Sequence, residues 1–182
     1  RVVIDGLAVT PGSNGHFVIG FHRDSDAPVQ VAIHHANGQI ERSTLIPAQR
    51  SYNIQRIDGL TNNMVTPPDD LLARIRREAD AVQTARHSYP EFEGTTAGGG
   101  APDFFKGFDW PATGRISGVY GSQRILNGAP RQPHYGIDIA AARNTPVRAP
   151  ADGIISMVDD LYFSGWTIMM AHGLGVNSGF LH

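Results

Sequence analysis

Cysteine is absent from the 182-residue sequence. That excludes disulfides, thiolate metal sites and cysteine nucleophiles within the chain. It does not fix a compartment, since an exported protein need not carry disulfides. Lysine is nearly absent too, occurring once, at Lys106, while arginine is plentiful. A formal net charge of −2 gives no basic face of the kind nucleic acid requires, so no nucleic-acid partner is expected. No apolar run is long enough to span a bilayer, and no signal-peptide pattern is visible. The chain begins at Arg1 and stops at His182 inside an apolar strand pattern, which reads as a fragment or processed piece of a longer protein.

With 41% hydrophobic residues, the chain can build one medium core or two small ones. From Arg1 to Ile57 the pattern is that of short strands. Phe17–Phe21 and Pro28–Ile33 are β-branched and aromatic, and the second alternates with period two. Asn37-Gly38 turns the chain into Gln39–Ile46, which predicts a hairpin, and Tyr52–Ile57 alternates again. Neighbours on a strand face opposite ways, so His34 and His35 cannot easily grip one ion. His16 and His22 belong to no ligand pattern.

Thr66-Pro67-Pro68-Asp69-Asp70 has the composition of a helix start: an N-cap, prolines for the first turn, and carboxylates for the positive end. Leu71, Leu72, Ile75, Ala79 and Val82 then recur at helical spacing, predicting a helix that runs to about Arg86-His87. Arg74, Arg76 and Arg77 mostly avoid that stripe and read as a solvated face. Pro90 closes the helix. The run from 91 to 107, with Gly98-Gly99-Gly100, reads as a linker. The expected organisation is an N-terminal antiparallel β unit over 1–65, a helix over 66–90, a Gly-rich linker over 91–107 and a second β unit over 108–182.

In that second unit Gly114–Gly121 leads into a polar loop, Ser122–Pro133, which delivers His134 and Asp138. Thr145–Pro150, Gly153–Val158, Trp166–His172 and Val176–His182 read as short strands punctuated by glycine turns. Imidazole nitrogen and carboxylate oxygen are ligands zinc accepts, and Gly136 between the two lets the backbone approach whatever is bound. An H-x-x-x-D pair also arises by chance, and taken alone it is better read as an ordinary surface ion pair. The neighbouring motifs decide.

Those motifs come in a definite order: Phe108-Asp109-Trp110-Pro111, Gly114-Arg115-Ile116, Tyr120-Gly121-Ser122, His134-Tyr135-Gly136-Ile137-Asp138, Thr145-Pro146-Val147-Arg148-Ala149-Pro150, His172-Gly173-Leu174-Gly175 and Phe180-Leu181-His182. The order resembles the lysostaphin/LytM-type zinc metallopeptidases, which cleave peptide cross-links of bacterial peptidoglycan. The N-terminal region is similar to the accessory part of exported Gram-negative members. The resemblance implies a mainly β chain with an incomplete LytM-type domain at its C-terminal end. It implies zinc held by His134 and Asp138, and a catalytic role for His182 in activating the attacking water or stabilising the oxyanion.

It also implies a third ligand, the second histidine of an H-x-H motif, beyond residue 182, or else a second chain completing the site. The implied substrate is the peptide stem of peptidoglycan, and the implied location periplasmic or secreted. His172 is assigned a structural hydrogen-bonding role. Asn144 stands where relatives carry glycine, a substitution that left-handed backbone geometry tolerates.

One other reading is open and a further one is close to excluded. A non-catalytic LytM-type domain would bind peptidoglycan or regulate another hydrolase, although retention of His134, Asp138 and His182 argues against it. A biotinyl- or lipoyl-carrier module, suggested by Val147–Ile155, needs a lysine at a hairpin tip. Lys106 sits beside the linker instead.

Overall fold

A computed structural model describes residues 1–12, 14–59, 69–87 and 103–182. The architecture is mainly β, as expected, with four small sheets and one helix among the described residues. The first sheet holds β1 (Val2–Ile4), β2 (Leu7–Val9), β3 (Val29–His34) and β4 (Ile40–Leu45) in the order β2-β1-β3-β4, antiparallel throughout. The β3–β4 hairpin turns at Asn37-Gly38 as predicted, with Val29 opposite Leu45 and His34 opposite Ile40. The β1–β2 hairpin turns on Asp5-Gly6, both at positive φ. The Asp5 carboxylate accepts the Gln30 amide at 2.8 Å, pinning that turn to β3.

Three expected strands need correction. Phe17–Phe21 has strand propensity but forms no ladder among the described residues, since propensity alone supplies no partner strand. Thr145–Pro150 is not a strand either: two of its residues are prolines without an N–H, and it makes single backbone bonds to the 109–111 stretch. Tyr52–Ile57 shortens to β5 (Ile54–Ile57), which leaves the first sheet and runs parallel to β7 (Gln123–Leu126). The 1–65 stretch expected as one accessory unit therefore shares a sheet with the 108–182 stretch. The polar loop at 122–133 is itself structured: β7 turns at Asn127-Gly128, both left-handed, into β8 (Ala129–Pro130). The expected helix cap at Thr66–Pro68 and the stretch from 91 to 102 lie outside the described residues.

The helix α1 (Leu72–His87) follows a short 3₁₀ turn at Asp69–Leu71 and packs against β10 (Ile154–Leu161) and β11 (Gly165–Gly173). With β12 (Val176–Leu181) these strands form the antiparallel sheet β10-β11-β12. Met169, Met170 and Ala171 at the centre of β11 are buried, as are Leu161 on β10 and Ala85 on α1. Burial of successive residues on β11 means that both faces of this strand are covered. The core sits here.

His172 is 1% exposed. Its Nδ1 lies 2.7 Å from the Asp152 carbonyl, which can only accept, so Nδ1–H donates and Nε2 accepts from the Ser178 hydroxyl at 2.8 Å. Both nitrogens are engaged, which is the structural role its sequence context suggests.

Arg74, expected on a solvated face, instead joins Glu78 in tying the helix to the β10–β11 turn. Arg74 donates to the Asp160 carbonyl at 3.0 Å, and Glu78 accepts the Tyr162 amide at 2.8 Å while pairing with Arg74. The Tyr162 amide, then the Arg74 guanidinium, hold the Glu78 carboxyl below the ordinary glutamate value. A depressed folded value stabilises the protein above the ordinary pKa, and the contribution is lost as pH falls through the folded value. The Glu78→Gln protein should therefore be less stable than wild type at neutral pH, with the difference closing in acid. Thermal unfolding of both proteins as a function of pH checks this, and a gap that widens in acid would contradict it.

Candidate metal site

The site is built where β6 (Arg115–Gly118) pairs antiparallel with β9 (Asp138–Ala140). The register slips between Ile116 and Gly118, a bulge that sets Gly118 opposite Asp138. A Cβ built on Gly118 would lie 2.0 Å from Asp138 Oδ2 and 2.7 Å from its Cγ. Only glycine leaves room for the carboxylate there. A lone glycine inside a strand pattern is the signal that could have marked this position.

His134 lies in the segment before β9. Its amide donates to the Ser122 carbonyl at 2.8 Å and its carbonyl accepts the Gly121 amide at 2.7 Å, so two short backbone bonds fix where its ring starts. The ring Nδ1 is 3.3 Å from the Val119 carbonyl and Nε2 is 3.2 Å from Asp138 Oδ1. A carbonyl cannot donate, so the first contact places the proton on Nδ1. The Nε2 lone pair then points at a carboxylate oxygen. Two acceptors at that distance repel unless a cation, either a proton or a metal ion, lies between them. A backbone carbonyl orienting the far nitrogen of a histidine is the usual outer support of a metal ligand. The donor types, their convergence and their exposure, 34% for the His134 side chain and 62% for that of Asp138, fit two positions of a metal shell.

The structure brings His134 and Asp138 together. The His182 amide donates to the Ser164 and Trp166 carbonyls at 3.1 and 3.0 Å, its backbone is left-handed, and its Nδ1 lies beside Gly165. Among the described residues no third His, Cys, Asp or Glu joins His134 and Asp138 in a metal-holding group. Three other histidines have their own neighbours: His35 lies 3.4 Å from Glu41, His16 packs on Phe105, and His22 is 3.0 Å from the Tyr135 hydroxyl. Asn144 is left-handed, a backbone geometry that asparagine tolerates better than most residues.

Tyr135 also sits in a row of rings, 6.1 Å from Tyr120, which in turn is 6.3 Å from Tyr52. Gly121, in the same segment, is left-handed, and a Cβ on it would strike the Tyr52 ring at 2.0 Å. Gly121 and Tyr120 lie within a sequence motif that carries no sign of these roles, and the Val119 carbonyl has no sequence signal at all.

Residues 132–182 match the model of Peptidase family M23. Over 106 residues, 56% of the chain, the sequence is 31% identical to an uncharacterized metalloprotease of Haemophilus influenzae, and the chain spans about a fifth of that protein, 21%. The whole chain superimposes on a crystal structure from Pseudomonas aeruginosa, provisionally described as a peptidase M23, with a TM-score of 0.64. There the identity is 24% and 65% of the other chain is covered. No helix among the described residues is long and apolar enough to cross a membrane. Residues 132–182, with His134, Asp138 and His182 among them, match peptidase family M23, and the chain as a whole shares the fold of the Pseudomonas aeruginosa structure.

Proposed function

We propose that this chain is part of a zinc-dependent endopeptidase that hydrolyses the peptide cross-links of bacterial peptidoglycan, working in the periplasm or outside the cell. The observation that carries the proposal is the approach of His134 Nε2 to Asp138 Oδ1 with the far nitrogen held on a backbone carbonyl, inside the segment that matches the M23 model. His134 and Asp138 would hold the metal, whose chemistry is to polarise the scissile carbonyl and lower the pKa of the attacking water. Val119 fixes the imidazole tautomer, and Gly118 leaves the carboxylate free to turn toward the ligand position. His182, at the end of β12, would take a proton from the attacking water or hydrogen-bond the developing oxyanion. A third ligand is needed, since three protein ligands are usual at catalytic zinc, and residues beyond 182 or a second chain would supply it.

The test is digestion of purified peptidoglycan sacculi by the full-length protein, with mass spectrometry of the released fragments. Cross-linked dimers should fall to monomers, chelation should stop the reaction, and added zinc should restore it. His182→Ala should keep its zinc and lose about 10²- to 10⁴-fold in turnover, the range of a general acid or base. Turnover retained in that variant would overturn its assigned role. The second reading, a domain that binds peptidoglycan without cutting it, is favoured by one observation: only two ligand-type side chains converge among the described residues. Sacculi that are bound by the zinc-loaded protein and left intact would establish it.

A further inference from the structure

We propose that Arg23, 111 positions before His134 in the sequence, is a positioning residue for this metal ligand. The inference rests on the reading of His134 as a ligand and adds a residue outside the M23-matched segment.

The Arg23 side chain is 6% exposed. Its Nε donates to the Gly121 carbonyl at 2.9 Å, and one terminal nitrogen reaches Gln123 Oε1 at 3.4 Å and Asp24 at 3.0 Å. The guanidinium carbon lies 4.5 Å from the centroid of the Tyr52 ring. The Gly121 bond leads to His134. The carbonyl that Arg23 holds belongs to the Gly121-Ser122 peptide. That dipeptide clasps the His134 backbone, Gly121 by its amide and Ser122 by its carbonyl. The Ser122 hydroxyl donates to the Val119 carbonyl at 3.0 Å, the same oxygen that orients the His134 ring. The neighbouring His22 meets Tyr135, next to His134 on the other side.

Residues 22 and 23 thus bracket the ligand from a segment with no regular structure of its own. Packing alone does not explain an arginine there. A buried guanidinium costs several kcal/mol unless its bonds are satisfied, and an apolar side chain would fill the space more cheaply. What the guanidinium adds is direction: a planar fork that fixes the Gly121 carbonyl relative to Tyr52 and β7.

The experiment compares wild type, Arg23→Met, Arg23→Lys, Glu78→Gln and His134→Ala. It reads Zn²⁺ affinity by calorimetry, amide hydrogen exchange and thermal unfolding. In Arg23→Met, zinc affinity should fall about tenfold or more, as for other outer-shell partners. Exchange at the Gly121 and His134 amides should accelerate at least tenfold while Met169–Ala171 stay protected. Arg23→Lys keeps a cation over Tyr52 but loses the fork, and should fall between; it carries the test if Arg23→Met does not fold.

Glu78→Gln should lower the unfolding temperature and leave zinc affinity alone. Zinc affinity within twofold of wild type in Arg23→Met, with unchanged exchange at those two amides, would overturn the proposal. So would zinc loss in Glu78→Gln equal to that in an Arg23 variant of the same unfolding temperature. Zinc binding untouched by His134→Ala would instead sink the ligand reading, and exchange at Gly121 and His134 would still decide whether Arg23 holds this segment.

Discussion

Replacing either His134 or Asp138 with alanine is expected to weaken zinc binding by at least about 100-fold, the upper end of what outer-shell partners alone command. Hydrolysis of peptidoglycan should be abolished. The two side chains face each other at 3.2 Å and on this proposal would share one metal ion, so neither could replace the other. Stability should hardly change, because both side chains are partly or largely exposed and the bonds that fix His134 in place are backbone bonds. Surface substitutions of this kind stay within about 0.5 kcal/mol. Metal content by mass spectrometry alongside thermal unfolding separates the two effects. Unchanged zinc in either variant would refute the site assignment.

The second large effect is at a residue with no functional group. Gly118→Ala should cost the site about 10- to 100-fold in zinc affinity by displacing the Asp138 carboxylate. Ordinary contact begins near 3.4 Å and the added Cβ would lie 2.0 Å from Oδ2, so the oxygen must retreat by about 1.4 Å. The clash is with the far end of an exposed side chain, which can rotate away, so the fold should survive with little loss. Gly121→Ala is the contrast. There the backbone is left-handed and the added carbon meets a ring, so the cost should fall on stability, by about 1–3 kcal/mol for the overpacking and more for the strain. Zinc titration of Gly118→Ala beside thermal unfolding of both variants checks the pair. A Gly118→Ala protein that binds zinc as wild type does would show that Asp138 does not need that space.

The elements legible in the sequence are those whose signal is local. The strands β10, β11 and β12 alternate or run apolar between glycine turns, the α1 stripe repeats at helical spacing, and Asn37-Gly38 marks its hairpin. Asp5-Gly6 and Asn127-Gly128 carry the same hairpin signal and deserved the same weight; both turns are left-handed at both residues. Phe17–Phe21 misled because propensity describes a surface that suits a strand and says nothing of whether a partner edge exists. The parallel pairing of β5 with β7 joins residues some seventy positions apart, and no local pattern encodes it.

The site divides along the same line. His134 and Asp138 are legible because spacing and motif order mark them. The Val119 carbonyl is invisible because a backbone oxygen has no letter of its own. Arg23 gives no hint of its place beside Gly121.

The most direct test of the central claim is a Zn²⁺ titration of ¹⁵N-labelled protein followed through the histidine ring nitrogens. Nε2 of His134 should shift on metal addition, Nδ1 should stay protonated, and the buried ring of His172 should not respond. A His134 ring unmoved at saturating zinc, or zinc taken up at His22 or His35 instead, would contradict it.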